Sequence, residues 1–110
     1  MPQGLGEFEQ MVLLAILHVR GEAYGVPIME EIERRTGRTI SRAAVYVTLR
    51  RLEKRGLLTS WMGKPTGERG GKARRCVRIE PEALALLRES RRAMESMWDD
   101  LDPDTVESTT

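Results

Sequence analysis

The chain has 110 residues, 40% of them hydrophobic and only 5% aromatic, which is enough for one compact domain with an aliphatic core and argues against global disorder. Its longest apolar run, residues 11–17, is too short to cross a bilayer, and the first seven residues contain no Lys or Arg, so the sequence predicts a cytoplasmic protein with neither a membrane span nor a signal peptide. The formal net charge is only +1, yet residues 41–79 carry eleven Lys or Arg against two Glu, whereas residues 1–40 carry a net −2 and residues 80–110 a net −6.

The N-terminal half has the pattern of three helices separated by short turns. Apolar residues at three- and four-residue spacing predict a helix over residues 5–20, so apolar that we expect it to be covered on more than one side. A turn over residues 21–25 leads to a second helix, which starts near Val26. Ser41 is a favourable N-cap for a third helix over residues 42–55.

The C-terminal half is predicted to contain a hairpin and one long helix. Two short strand candidates, residues 57–62 and 75–79, flank a basic, glycine-rich segment typical of a long flexible tip. Pro81 opens a fourth helix that runs to about Leu101. The order helix, helix, helix, strand, strand, helix predicts a mainly α fold with a small β-hairpin, a winged helix-turn-helix followed by a C-terminal dimerisation helix.

These elements divide the chain into three functional parts. We expect a winged helix DNA-binding domain over residues 1–80, a dimerisation helix over residues 81–101 and a flexible acidic tail over residues 102–110. The positive charge of residues 41–79 indicates a surface that meets a polyanion. The alternative is that the basic and acidic segments neutralise each other within the fold.

The third helix is the candidate recognition helix. At 100° per residue, Val45, Leu49 and Leu52 face the core, which leaves a small and basic opposite face for the major groove of DNA. The DNA-contacting residues predicted here are Ser41, Arg42, Ala43, Tyr46, Val47, Arg50 and Lys54. Arg51 and Arg55 lie on the flank and are expected to be solvated. The alternative is an ordinary surface helix with basic residues.

The hairpin tip supplies a second basic region beside this helix. Its candidate DNA-contacting residues are Lys64, Arg69, Lys72 and Arg74. A basic loop here would reach the minor groove or the backbone, and each neutralised phosphate releases counterions, so binding is expected to weaken steeply with salt. The alternatives are a solvated loop and, for the whole basic surface, an acidic protein partner in place of DNA.

The fourth helix carries an apolar seam that a core of this size cannot cover. The predicted dimer-interface residues are Leu84, Leu87, Arg91, Met94, Trp98 and Leu101. Two such helices from two subunits would cover one another and set a pair of winged domains on a palindromic DNA site, whereas a monomer would fold this helix back on the first one. Met94, Met97 and Trp98 form a candidate site for a small aromatic ligand, with plain interface packing as the alternative.

Four stretches of the sequence resemble the PadR family of bacterial transcriptional regulators. They are LGEFEQMVLLAIL (5–17), AYGVPIMEEIERRTGR (23–38), AAVYVTLRRLEKRGLLTSW (43–61) and ERGGKARRCVRIEPEALALL (68–87). The resemblance implies a winged helix homodimer that binds an operator near its own or an adjacent operon and, as in many members, a repressor released by a small phenolic or drug-like molecule. By the same resemblance, Tyr46 matches the recognition-helix tyrosine and Gly56 the glycine that stops that helix.

The resemblance has two departures, both after the hairpin tip. The second wing strand usually carries an aromatic pair, where this chain has Cys76 and Val77. The usual Thr-Pro-x-Gly start of the last helix is replaced by residues 80–83, EPEA. The resemblance therefore does not by itself predict how the wing packs or where the fourth helix starts. With its single C-terminal helix, the chain resembles the smaller members of the family.

An enzyme is not predicted. His18 is the only histidine, and Cys76 has neither a second cysteine nor a nearby histidine, so no metal site, cofactor site or nucleophilic pair is indicated. The basic neighbours Arg74, Arg75 and Arg78 are expected to lower the pKa of the Cys76 thiol, which leaves a redox role as a minor alternative.

Overall fold

A computed structural model of the chain describes residues 4–63, 74–102 and 104. In this part of the chain, four helices and a two-stranded antiparallel hairpin follow one another. They are α1 (Glu7–His18), α2 (Gly25–Thr36), α3 (Arg42–Lys54), β1 (Leu58–Met62), β2 (Arg75–Ile79) and α4 (Pro81–Trp98). The predicted fold class, a mainly helical winged helix-turn-helix with a small hairpin, is confirmed. None of the described helices is both long and apolar enough to cross a membrane.

Local signals set the boundaries of the recognition helix and its turn. The α2 helix ends where Gly37 adopts a left-handed conformation with φ of 73°. Ser41 caps α3, because its hydroxyl oxygen accepts the backbone N–H of Ala44 at 3.0 Å. Gly56, with φ of 76°, turns the chain into β1. The α1 helix is two residues shorter at each end than predicted, which is ordinary fraying at helix termini.

The hairpin gains a third backbone partner from the turn before α2. The two strands pair with Leu58 opposite Ile79 and Met62 opposite Arg75. Ala23 forms an isolated bridge with Val77, whose backbone N–H donates to the Ala23 carbonyl at 2.8 Å. Residues predicted only as a turn therefore attach the wing to the helical part of the domain. Such a bridge joins positions far apart in sequence, and no local pattern indicates it.

A single aliphatic core joins all of these elements. The largest fully buried side chains are Val12, Leu13, Ile28, Val45, Leu52 and Cys76. Leu57, Leu58 and Val77 of the wing region and Ala83 and Leu87 of α4 complete it. The start of α4 at Pro81 agrees with the prediction although the usual family motif is absent there. Cys76 and Val77 are both buried, so the wing packs inward without the aromatic pair.

Only the first half of α4 belongs to this core. From Arg91 onward every described residue is exposed, and the helix ends at Trp98, three residues before the predicted end. The molecule measures 56 × 32 × 22 Å with a radius of gyration of 16.8 Å. A compact domain of this length would have a radius of gyration of about 13 Å. The second half of α4 therefore extends beyond the globular part of the chain.

Candidate nucleic-acid interface

The α3 helix is fixed by one buried side and presents the other to solvent. Its buried residues are Val45, Thr48, Leu49 and Leu52. At 100° per residue the centre of the opposite side is a stripe of four exposed residues, Ala43, Val47, Arg50 and Lys54. These four were predicted to contact DNA, and Arg42, also exposed, lies beside them at the start of the helix. The helix thus exposes the residues that the sequence predicts for the major groove.

The cations on this side of α3 are not neutralised within the described part of the chain. The side chains of Arg42, Arg50, Arg51 and Lys54 make no hydrogen bond or ion pair with another described residue. Each is exposed. Four positive charges on thirteen helical residues therefore give this surface a local potential that favours a polyanion.

The cations at the end of α2 and in the turn after it are paired with acids. The guanidinium groups of Arg34 and Arg35 both contact the Glu31 carboxylate at 2.6 Å. The two hydrogen bonds, that of Arg34 first, lower the pKa of this carboxyl from its ordinary value to about 2. Arg38, in the turn before α3, contacts Glu7 at 2.7 Å. Within the part of the chain that the structure describes, acids thus neutralise these cations but not the four exposed cations of α3.

Arg55 corrects one expectation from the sequence. It was expected to be solvated on the flank of the helix, but its guanidinium lies 3.4 Å from the Glu9 carboxylate and 3.4 Å from the Gly4 carbonyl oxygen. Both side chains of the pair are largely covered. Glu9 also accepts the backbone N–H of Gly6 at 2.8 Å, at the start of α1. The end of the recognition helix is therefore tied to the start of α1.

Tyr46 has a packing role that the sequence does not reveal. The residue is 46% exposed, yet its ring lies directly on Gly25, the first residue of α2. A Cβ added at Gly25 would stand 2.9 Å from Tyr46 Cζ and 3.0 Å from its hydroxyl oxygen. Gly25 is thus required for a close approach rather than for an unusual φ. The tyrosine sets the separation of α2 and α3 while part of it stays open to solvent.

Of the four wing residues predicted to contact DNA, the structure describes Arg74. The Arg74 guanidinium stacks on the ring of Tyr24 at 4.6 Å from its centroid. The Arg74 carbonyl accepts the backbone N–H of Gly63 at 2.7 Å, which closes the described end of the hairpin. The predicted candidates that lie outside the described residues are Lys64, Arg69 and Lys72.

Cys76 is a buried residue of strand β2, and its surroundings shift the pKa of its thiol in the direction opposite to the one expected. Burial, together with a contact to the Glu22 carboxylate at 3.5 Å, raises the pKa of the thiol above its ordinary value. The basic neighbours were expected to lower this pKa, and that expectation is wrong, because Cys76 is fully buried and its nearest charged group is an acid. The thiolate that redox chemistry needs is therefore disfavoured.

The predicted dimer residues form one wall of an open groove between α1 and α4. Its apolar lining includes Met11, Leu14, Leu17, Leu84, Met94 and Trp98, and its volume is about 1100 Å³. Met94 and Trp98 are each 61% exposed, so α4 does not fold back on α1 to cover the seam. Leu87 differs from the rest of the predicted seam, because it is buried in the core of its own chain.

Three further residues of the predicted interface and ligand site lie at or near the groove. Met97 is 74% exposed but does not line the groove, since it lies on another side of α4 from Met94 and Trp98. Leu101 is exposed just beyond the helix. Arg91 lines the groove and pairs with Glu95 at 2.7 Å. The groove thus combines large exposed apolar side chains with an internally neutralised charge.

Comparisons with known proteins agree with this geometry. The model of the Transcriptional regulator PadR-like family matches residues 13–82. The chain is 38% identical over 94 residues to the Transcriptional regulator Rv3488 of Mycobacterium tuberculosis, with 83% of each chain covered. A PadR family transcriptional regulator from Eggerthella lenta has a similar structure at 29% identity and a TM-score of 0.63, covering 84% of this chain and 80% of that one.

A second solved structure extends the similarity of fold to lower identity. A PadR family transcription regulator from Clostridium difficile has a TM-score of 0.67 at 16% identity, with 84% of this chain and 91% of that one covered. The family match spans the helix-turn-helix, the wing and the start of α4. On this match, and on the curated relative, the chain belongs to the PadR-like family of transcriptional regulators, which are not enzymes.

Proposed function

We propose that the chain is a homodimeric DNA-binding repressor that acts in the cytoplasm on a palindromic operator of its own or a neighbouring operon. The observation that carries this proposal is the exposed side of α3, with four cations that no described acid neutralises. Phosphates are the partners that such a surface fits best, because arginine and lysine bind them through charge-assisted hydrogen bonds. The first 80 residues would form the DNA-binding domain.

The N-terminal part of α3 would face the base edges, and its later turns the phosphates. Ala43 permits close approach, and Arg50 and Lys54 reach phosphate oxygens or a guanine edge. The Ser41 hydroxyl oxygen already caps the helix, which leaves its hydrogen free to donate to a phosphate. In the wing, the Arg74 guanidinium stacks on Tyr24 and would contact the DNA backbone together with the tip residues between Gly63 and Arg74.

The homodimer is supported by the half-covered α4. Contiguous exposed apolar side chains of this size mark a protein interface more often than a solvent surface. The groove between α1 and α4 is open and mostly apolar, and a second copy of α4 would supply matching apolar residues under twofold symmetry. Such a dimer would hold two α3 helices at the spacing of two operator half-sites. The acidic tail after Leu101 would remain outside this interface.

An aromatic effector would bind where the two groove walls meet. Met94 and Trp98 line the groove and offer polarizable and aromatic surface to a planar molecule. Met97 contributes only if the partner subunit covers its side of the helix. An effector that binds there releases DNA only when it favours a different spacing of the two α3 helices, because a ligand shifts an equilibrium solely by its differential affinity.

The deciding experiment is fluorescence anisotropy of the purified protein with a labelled duplex from the region upstream of its own gene. A scrambled duplex of the same composition is the control, and both are titrated at two salt concentrations. We expect tighter binding to the upstream duplex and a steep loss of affinity with salt. Repression is then tested by transcription in vitro from the same region with and without the protein.

The opposite result would favour a different partner. If neither this duplex nor any fragment in a selection from genomic DNA is bound specifically, the basic surface is instead an interface for an acidic protein. Effector binding is measured separately by fluorescence of a Trp61→Phe variant, in which Trp98 is the one remaining tryptophan. Quenching that also lowers DNA affinity supports release by a ligand, and quenching without this change contradicts it.

A further inference from the structure

The outer stripe of α3 changes character along its length. Ala43 and Val47 are four residues apart and occupy the N-terminal half, whereas Arg50 and Lys54 occupy the C-terminal half. Residues four apart on a helix are neighbours, with Cβ atoms about 6 Å apart. The stripe therefore consists of a small apolar patch followed by a cationic one, both pointing away from the core.

Val47 is an exposed apolar residue within this basic surface. It is 55% exposed and belongs neither to the buried core nor to the partly buried residues packed on it. As a β-branched residue it is also a weaker helix former than the Ala, Leu, Lys or Arg found elsewhere in α3. Single exposed apolar residues are common on protein surfaces, so exposure by itself assigns no role. The position of Val47 beside cations without described partners is what makes its two methyl groups available to a polyanion.

The surroundings of Val47 define the chemistry of that partner. Arg50 and Arg51 follow Val47 by three and four residues on the exposed part of the helix, and neither is neutralised by a described residue. The partner therefore carries dense negative charge and, within a few ångströms of it, an apolar group. In the major groove of DNA the apolar group is the C5 methyl of thymine. The N-terminal residues of a recognition helix are those that reach it.

We propose that Val47 is a specificity-determining residue, which packs against the C5 methyl of a thymine in each operator half-site. Ala43 lies beside it, and its small side chain lets the helix approach closely enough for the contact. The stiff side chain of valine presents two methyl groups without loss of rotamer freedom on binding. The contact adds sequence information that the phosphate-binding cations lack. This inference rests on the proposed DNA-binding function and narrows it to one base.

The test removes single methyl groups from the DNA. The probe is a duplex selected from a randomised pool by the wild-type protein, in which each thymine is replaced in turn by deoxyuridine. Because burial of one methyl group stabilises a complex by about 0.8 kcal/mol, we expect about a fourfold loss of affinity at one thymine position in each half-site. In Val47→Ala the same replacement should have almost no effect, since the protein partner of the methyl is gone.

Two further variants control for general effects. Lys54→Ala should weaken binding to every duplex while keeping the fourfold response to deoxyuridine, because Lys54 lies two turns away from Val47. Val47→Thr keeps one methyl group and should keep part of the response, which covers the case in which Val47→Ala binds too weakly to measure. Circular dichroism of each variant checks that α3 remains folded.

Each outcome separates this inference from the function on which it rests. A deoxyuridine response that disappears in Val47→Ala supports the valine–thymine contact. If the selected duplex is bound but no thymine methyl matters, or if the response is the same in wild type and both Val47 variants, the inference is wrong and the DNA-binding function stands. If no duplex is enriched from the pool, both the function and the inference are wrong.

Discussion

Two surfaces of this molecule are exposed to a similar extent but carry different chemistry. The outer side of α3 displays cations without described partners and two small apolar residues. The distal half of α4 displays Met94 and Trp98, each 61% exposed, beside an Arg91–Glu95 pair that neutralises itself. Exposure alone therefore says little about function. Unneutralised charge indicates a polyanion, whereas large apolar side chains with balanced charge indicate another protein surface.

The two surfaces also differ in how firmly the core holds them. The α3 helix is anchored over its whole length by four buried residues, by Tyr46 on Gly25 and by the Arg55–Glu9 pair. The α4 helix has two buried residues, Ala83 and Leu87, both in its first half. The recognition surface is therefore pre-organised in the single chain. The distal half of α4 has no such packing within the described part of the chain, so in the proposed dimer its direction would be open to change by a ligand.

The largest expected effect concerns the distal half of α4. Trp98→Glu should replace an aromatic side chain of the groove by a charged one, whose burial costs free energy, and weaken dimerisation by about 100-fold or more. Ser96→Glu is the matched control, because it adds the same charge to an exposed position that does not line the groove. Sedimentation equilibrium over a range of concentrations measures both. Equal dimerisation of the two variants would contradict the comparison between the surfaces.

The second effect concerns the cations of α3. The double variant Arg50→Ala, Lys54→Ala should reduce DNA affinity at least about tenfold, and the salt dependence of log K should fall by about two because two phosphate contacts are lost. Arg92→Ala removes an exposed arginine from α4 and serves as control. Anisotropy at four salt concentrations gives the slopes. An unchanged slope in the double variant would mean that these cations do not contact phosphates.

The third effect concerns the packing of α3 against α2. Gly25→Ala should force the Tyr46 ring to move, because the new Cβ would lie 2.9 Å from its Cζ atom, and we expect a loss of about 1 kcal/mol in the free energy of unfolding. Gly6→Ala is the control, since its nearest contact is the end of the Glu9 side chain at 3.5 Å. Urea denaturation measures both. Restoration of stability by an added Tyr46→Leu would identify the ring as the cause.

The smallest effect concerns the ion pair between Arg55 and Glu9. A double-mutant cycle with Glu9→Gln and Arg55→Gln should give a coupling free energy of about 0.5 kcal/mol, because the contact is long and partly exposed to solvent. Urea denaturation of the four proteins supplies the cycle. A coupling of zero would mean that this ion pair adds nothing to the other contacts that hold the C-terminal end of α3, among them that of Arg55 with the Gly4 carbonyl oxygen.

Several elements were predictable because their signals are local. Ser41, Gly37 and Gly56 mark the ends of α2 and α3 through capping and left-handed backbone conformations, which depend on a few neighbouring residues. Two short stretches that flank a glycine-rich basic segment predicted both strands, and the start of α4 followed from Pro81 even though the usual motif is missing. The exposed stripe of α3 was also predictable, since helical periodicity alone fixes which residues lie opposite the core.

Other features required contacts between distant positions. Leu87 continues the spacing of the α4 seam, so the sequence groups it with Trp98, but it is close enough to the domain to be buried by the core. Likewise, the basic residues around Cys76 suggested a lowered pKa, whereas burial and Glu22, 54 residues away, raise it. Whether a side chain is buried depends on residues far away in the sequence. Burial decides both the position of Leu87 in the core and the direction of the pKa shift of Cys76.

The sequence by itself determined the order of the elements, the basic exposed side of α3, and the family to which the chain is similar, because periodicity, caps and motif spacing depend on short stretches of residues. Only the tertiary structure decided that Ala23 pairs with the wing, that Tyr46 rests on Gly25, that Arg55 binds Glu9 and that the distal half of α4 is uncovered. These outcomes depend on which surfaces the folded chain brings together, and a few ångströms decide whether a side chain is paired, buried or left for a partner.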